Sequence, residues 1–192
     1  MNVRTQFSLL LFLLLMFSSA HAQWTQLGVD IDGENPGDRS GLGGAISGDG
    51  QTVAIAGRRN SDFDHHAGHI RMFRFDGTNW QQIGTDIDGD ITFDYLGNAV
   101  SLSHDGNIMA VSGQYDPVLG NSGGRVRIYE YDGSDWVQMG STLYGISTGD
   151  NFGLSLELSN DGTRLVVGSP FHSDISMNAG NVRVFVYNGS DW

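Results

Sequence analysis

Residues 125–140 read RVRIYEYDGSDWVQMG, two β-type runs on either side of an Asp-Gly turn. The first run, Arg125 to Tyr131, alternates charged side chains with Val126 and Ile128, and the second begins at Trp136. Gly adopts positive φ at little cost, so an Asp-Gly pair between two such runs predicts a tight antiparallel hairpin. The same pattern recurs as HIRMFRFDGTNWQQIG at 69–84 and as NVRVFVYNGSDW at 181–192.

A single period governs the rest of the chain as well. It is the constant spacing between four tryptophans, namely Trp24, Trp80, Trp136 and Trp192. In the second unit, Leu96 to Ser103 and Ile108 to Gly113 predict two more strands, which makes four strands per unit. A β-solenoid is also periodic, but tight hairpins favour antiparallel pairing. We therefore predict an all-β fold of three four-stranded antiparallel β-propeller repeats of equal length, at 25–80, 81–136 and 137–192.

Propellers close with about four to eight blades, so three repeats predict an incomplete propeller that is part of a larger one. The first residues have the features of an export signal. Arg4 precedes an apolar run from Leu9 to Phe17, and Ala20 and Ala22 fit a small-residue cleavage site. We expect a signal peptide at 1–22 and a secreted or cell-surface chain at 23–192, although an uncleaved anchor stays open. The run is shorter than the roughly 20 residues that span a bilayer, so we expect no membrane insertion after removal of the signal.

The composition excludes some partners. The 192 residues carry 22 acidic and 10 basic side chains, a formal net charge of -12. Such a charge repels phosphate groups, so we expect no nucleic acid partner. The chain has no Cys, so its stability must come from packing rather than from disulfides.

The third unit contains Phe152-Gly153, LVVGSP at 165–170 and AGNVRVF at 179–185. These segments resemble the FG-GAP repeats of integrin α-subunit propellers and of many bacterial secreted proteins. The first two units match more loosely, with Ser40-Gly41 and Leu96-Gly97 in place of Phe-Gly. The resemblance implies an integrin-α-like propeller that serves extracellular adhesion or ligand binding, without catalysis. The calcium loop of that family is not carried over, because each turn between strands one and two, such as 103–106, offers too few carboxylates.

Acidic side chains are densest in the segments that precede strand one of the first two units. The second unit has Asp86, Asp88, Asp90 and Asp94, and the first has Asp30, Asp32, Glu34 and Asp38. Alternating carboxylates beside a flexible Gly suit a hard cation, so a calcium (Ca²⁺) site is one hypothesis. The other is a solvated turn in which these residues shape the approach to strand one.

A second candidate cluster lies in the predicted loop between strands two and three of the first unit. It contains Asp62, Asp64, His65, His66 and His69. Imidazoles with carboxylates suit zinc or another transition metal, but no zinc spacing motif is present, which favours a merely polar loop.

The expected function is a secreted binding or adhesion module. Successive connections in an antiparallel sheet alternate between its two ends, so the long acidic loops share one face and contact an extracellular protein or glycan there. No catalytic motif is found, and we expect no enzyme. The alternatives are a glycan-cleaving enzyme with a carboxylate pair on the loop face and a structural repeat that binds nothing.

Overall fold

The computed structural model describes residues 24–116 and 118–192, and the predicted signal peptide at 1–22 lies outside them. The described residues form thirteen β-strands and contain no helix. Every strand pair is antiparallel. The prediction of an all-β fold with antiparallel sheets is therefore confirmed. Over this part of the chain there is no helix long and apolar enough to cross a membrane.

The strands form three separate sheets. The first contains β1 (Ser40–Ile46), β2 (Thr52–Gly57), β3 (His69–Phe75), β4 (Trp80–Gln82) and β5 (Ile87–Asp88). The second contains β6 (Val100–Leu102), β7 (Ile108–Asp116), β8 (Gly120–Tyr131), β9 (Trp136–Gln138) and β10 (Leu143–Tyr144). The third contains β11 (Ser155–Leu158), β12 (Arg164–Ser169) and β13 (Asn181–Val186). Among the described residues, no strand pairing joins one sheet to another.

Two strand boundaries of the second sheet differ from the prediction. The fourth strand, predicted to begin at Trp136, is divided into β9 and β10, because Gly140 turns the chain at a φ of +75°. The predicted loop between strands two and three is mostly a hairpin, in which β7 and β8 extend toward each other. Its tip is held by Asp116, whose carboxylate accepts hydrogen bonds from the backbone N–H groups of Val118 and Leu119 at 2.7 and 2.8 Å.

The second sheet lies between the other two. Its strand β6 contacts β1 on one side and β11 on the other. Met109 and Val111 pack in a buried cluster with side chains of the first sheet. The alternate residue Ala110 and the cross-strand Ile128 pack with Leu165 and other side chains of the third sheet. Successive residues of β7 thus enter two different cores, which is why this sheet is apolar on both faces.

Among the described residues, no sheet covers the two outer faces of the stack. On β13, Val182, Val184 and Val186 are 65%, 67% and 55% exposed, whereas the opposite face of the same sheet is buried. On the first sheet, Leu42 and Ile46 of β1 are likewise exposed. Apolar residues are therefore present on faces that no neighbouring sheet covers.

A tryptophan contact recurs along the stack. The indole N–H groups of Trp80, Trp136 and Trp192 donate to the backbone carbonyls of Leu27, Ile83 and Met139 at 3.0, 3.1 and 2.9 Å. The residue that follows each of these carbonyl groups is a glycine at positive φ, namely Gly28, Gly84 and Gly140. A Cβ on any of them would lie within about 3 Å of the indole ring. Each of these tryptophans ends a unit and contacts residues near the start of the same unit, while Trp24 is exposed.

Candidate functional site

The long connections of all three sheets lie at one end of the stack, called here the loop end. They span 58–68, 89–99, 145–154 and 170–180, together with Val118 and Leu119 at the tip of the β7–β8 hairpin. Backbone hydrogen bonds join them between sheets, as from the N–H of Leu96 to the carbonyl of Ala67 at 2.8 Å. The tight Asp-Gly turns occupy the opposite end, where the N–H of Asp49 donates to the carbonyl of His104 at 2.9 Å.

The predicted acidic residues of the second unit divide between two environments. Asp90 and Asp94 form ion pairs with Arg125, and Arg127 lies 3.8 and 3.7 Å from the same two carboxylates. Burial raises the pKa of Asp94 more than the guanidinium groups lower it. At Asp90 burial also opposes ionisation, but the hydrogen bond and charge of Arg125 and the charge of Arg127 outweigh it and lower the pKa. Arginine side chains thus take the place of a bound cation beside these two carboxylates.

Asp86 and Asp88 lie apart from that ion-pair cluster. Asp86 is in the break between β4 and β5, and Asp88 is in β5, paired with His69 of β3. Burial raises the pKa of Asp88. These two residues are therefore oriented by the edge of the first sheet rather than by a loop of the second.

In the first unit the acidic residues are separated as well. Asp30 accepts a hydrogen bond from the amide of Gln26 at 2.7 Å, while Asp32 presents its backbone carbonyl to Arg71. Asp38 is buried and accepts the N–H of Asn35 at 2.9 Å. The structure does not bring either set of four predicted side chains together around one point, and calcium binding stays a prediction.

One cluster does unite members of both predicted groups. Single ligand atoms of Glu34, His69 and Asp86 all lie within 4.8 Å of one another. His69 Nδ1 is 3.6 Å from Glu34 Oε2 and 3.6 Å from Asp86 Oδ2. Burial raises the pKa of Glu34, and the nearby charge of Asp86 raises it further. Two carboxylates that face a single imidazole can hold a proton or a cation between them.

The histidines predicted to form one loop cluster separate in the structure. His69 is the first residue of β3. His65 and His66 stack on each other with ring centroids 4.1 Å apart, and both pack edge-on against Phe93. Asp64 bonds to Thr92, in the next connection along the chain. The short spacing of these residues in the sequence predicted a single loop cluster. Only the pairing of β3 places His69 beside the acidic segments instead.

No family model matches this chain, and no curated protein does. Among solved structures 39 chains match. One of them belongs to a complex of KlAtg21 with the coiled-coil of AgAtg16, at 14% sequence identity and a TM-score of 0.52. The match covers 78% of this chain and 40% of that one, so this chain spans less than half its length. At such identity the likeness concerns the fold alone.

Proposed function

We propose that the three sheets are blades of a β-propeller built from repeats 25–80, 81–136 and 137–192. The protein is proposed to be a secreted or cell-surface binding module. The contacts among the first strands of the sheets support the propeller. β1 contacts β6 and β6 contacts β11, in chain order, as the innermost strands of successive blades do around a propeller axis. Equivalent positions of two repeats also meet, since Arg58 Nη2 donates to Gln114 Oε1, 56 residues further along the chain, at 3.4 Å. The FG-GAP resemblance of the third repeat supports the same fold and an adhesive role.

Three glycines at the same place of the period support a repeated blade contact. A Cβ on Gly97 would lie 2.5 Å from the Cβ of Ala56, and one on Gly153 would lie 2.7 Å from the Cβ of Ser112. Ala56 and Ser112 occupy the same place in successive sheets. At Gly41 an added Cβ would meet none of the described residues within 4 Å. Within the described part of the chain, the first sheet thus has the same contact position but no sheet packed against it, and a further sheet of the same kind fits there.

The observation that carries the binding function is the position of exposed apolar side chains. The loop end presents Phe63, Phe93, Val118, Ile146, Ile175 and Met177, and Ile175 is 94% exposed. Among the described residues, the tight turns at the opposite end present no exposed large apolar side chain. Exposed apolar groups on loops supported by a rigid sheet are typical of a recognition surface. The acidic residues around them favour a protein with a basic rim or a glycan that stacks on aromatic rings.

A binding screen with loop variants tests this function. The purified protein is applied to an array of glycans and extracellular proteins, and bound sugars are analysed for cleavage. We expect binding without product, and at least a roughly tenfold loss of affinity in Phe63→Ser or Ile175→Ser, as for central contact residues of an interface.

The matched control is Val137→Ser, which changes an exposed apolar side chain of β9 outside the loop end. It should leave binding unchanged. Equal losses in the loop and control variants would argue against the loop end as the binding surface. Release of cleaved sugar would instead support the glycan-cleaving alternative.

A further inference from the structure

His69 is a buried imidazole with no hydrogen-bond partner among the described residues. Its side chain is 1% exposed, and neither Nδ1 nor Nε2 forms a hydrogen bond. A buried polar group without a partner costs free energy, so such a group needs an explanation. The ring lies against Gly57, where an added Cβ would be 2.3 Å from Nε2. Nδ1 is therefore the nitrogen that faces the carboxylates of Glu34 and Asp86.

Each of these carboxylates has one oxygen held by another side chain and one directed at His69. Glu34 Oε1 lies 3.6 Å from Arg71 Nη1, which leaves Oε2 facing Nδ1. Asp86 Oδ1 accepts a hydrogen bond from the amide of Gln82 at 2.6 Å, which leaves Oδ2 facing Nδ1. Partners that fix the second oxygen of a carboxylate are typical of the outer shell of metal sites.

The second sheet has a positively charged side chain at the position that His69 occupies in the first sheet. Arg125 holds the place of His69 in the next repeat, and it inserts a guanidinium between Asp90 and Asp94. Arg71 and Arg127 also hold one place in the two repeats, so both sheets keep that arginine. In the first sheet the shorter imidazole replaces the guanidinium. Glu34 holds the place of Asp90, whereas Asp86 comes from a different position of the period, and both carboxylates face a nitrogen that is itself a metal ligand when neutral.

We propose that Glu34 Oε2, His69 Nδ1 and Asp86 Oδ2 bind a divalent transition-metal cation, with Zn²⁺ as the best-fitting ion. Ligand atoms on tetrahedral zinc at ordinary bond lengths lie about 3.3 Å apart, close to the two 3.6 Å separations here. An imidazole with two carboxylates suits zinc better than calcium, which takes only oxygens. Three protein ligands leave a position for water, and the side chains of Glu34 and Asp86 are 35% and 26% exposed, so solvent reaches the site. This site does not depend on the proposed binding function.

Titration of the purified, chelator-treated protein with zinc chloride tests the proposal. Calorimetry should show one site per chain, and Tm should rise with zinc but not with calcium chloride, because a cation that binds only the folded state stabilises it. Asp86→Asn and His69→Gln should each weaken zinc binding at least about tenfold, and Gln82→Ala, which frees the second oxygen of Asp86, should weaken it by roughly tenfold.

His65→Gln is the matched control, since it removes an exposed histidine from the connection that leads into β3. It should leave zinc affinity unchanged. If His69→Gln fails to fold, Asp86→Asn and Glu34→Gln keep the test valid, because both alter only partly exposed side chains. The proposal is overturned if zinc gives neither heat nor a Tm shift. It is also overturned if affinity survives in Asp86→Asn and Glu34→Gln, or if it is lost in His65→Gln.

Discussion

Truncating Ile128 tests whether the second sheet is enclosed between its neighbours. Ile128 is fully buried in the cluster that joins the second and third sheets. Val184 holds the same place in the next repeat: it pairs with Val166 across the strands, as Ile128 pairs with Ala110. The side chain of Val184, however, is 67% exposed. Ile128→Ala removes buried methyl groups and leaves a cavity, which costs about 2–5 kcal/mol of unfolding free energy. Val184→Ala should cost less than about 1 kcal/mol, because its side chain is mainly in solvent.

Urea unfolding followed by tryptophan fluorescence measures both values on monodisperse protein. The midpoint should move to lower urea for Ile128→Ala, and the slope of free energy against urea should stay the same for both variants. Equal destabilisation by the two variants would mean that the outer face of β13 is as enclosed as the second sheet, contrary to the packing described above. A small effect of Ile128→Ala would show that the second and third sheets do not share this core.

Two further predictions concern a glycine contact and a titrating histidine. Gly97→Ala and Gly41→Ala both place a Cβ at positive φ, but among the described residues only Gly97 packs against a neighbouring sheet. Gly97→Ala should therefore lower the free energy of unfolding in urea by about 1–3 kcal/mol more than Gly41→Ala does; equal losses would contradict the sheet contact. The carboxylates of Asp174 and Asp150 raise the pKa of His172, so its protonated form stabilises the fold below about pH 6.5, and this stabilisation is lost as pH rises through the raised pKa. When the pH is raised from about 6 to about 8, the urea midpoint should therefore decrease more in the parent protein than in His172→Gln. An equal decrease in both proteins would contradict the stabilising role of protonated His172.

The repeated hairpins were predictable because their signals are local. Asp-Gly turns and alternating apolar residues define β7, β8 and β9 without knowledge of their neighbours. The break between β9 and β10 was not predictable, because it depends on how Gly140 packs beside the ring of Trp192, at the far end of the same repeat. The β7–β8 extension was missed because a hairpin closed by an Asp116 turn has the same composition as an irregular loop.

The candidate site was predictable only in its parts. Glu34 and Asp86 were identified as acidic-segment residues, and His69 was assigned to a different cluster. Their convergence depends on β3 beginning at His69 and pairing with β5, which places the imidazole beside residues from two other segments. The one sequence signal for it was the replacement of Arg125 by His69 at the same position of the period.

The propeller is tested most directly by a crystal structure of the protein purified from its natural source. We expect β1, β6 and β11 to lie around one axis, and sheets of the same construction to cover the outer faces of β1 and β13. Phe63 and Ile175 should project from the same end. Outer faces covered by helices, or sheets that join edge to edge into one continuous sheet, would rule the propeller out.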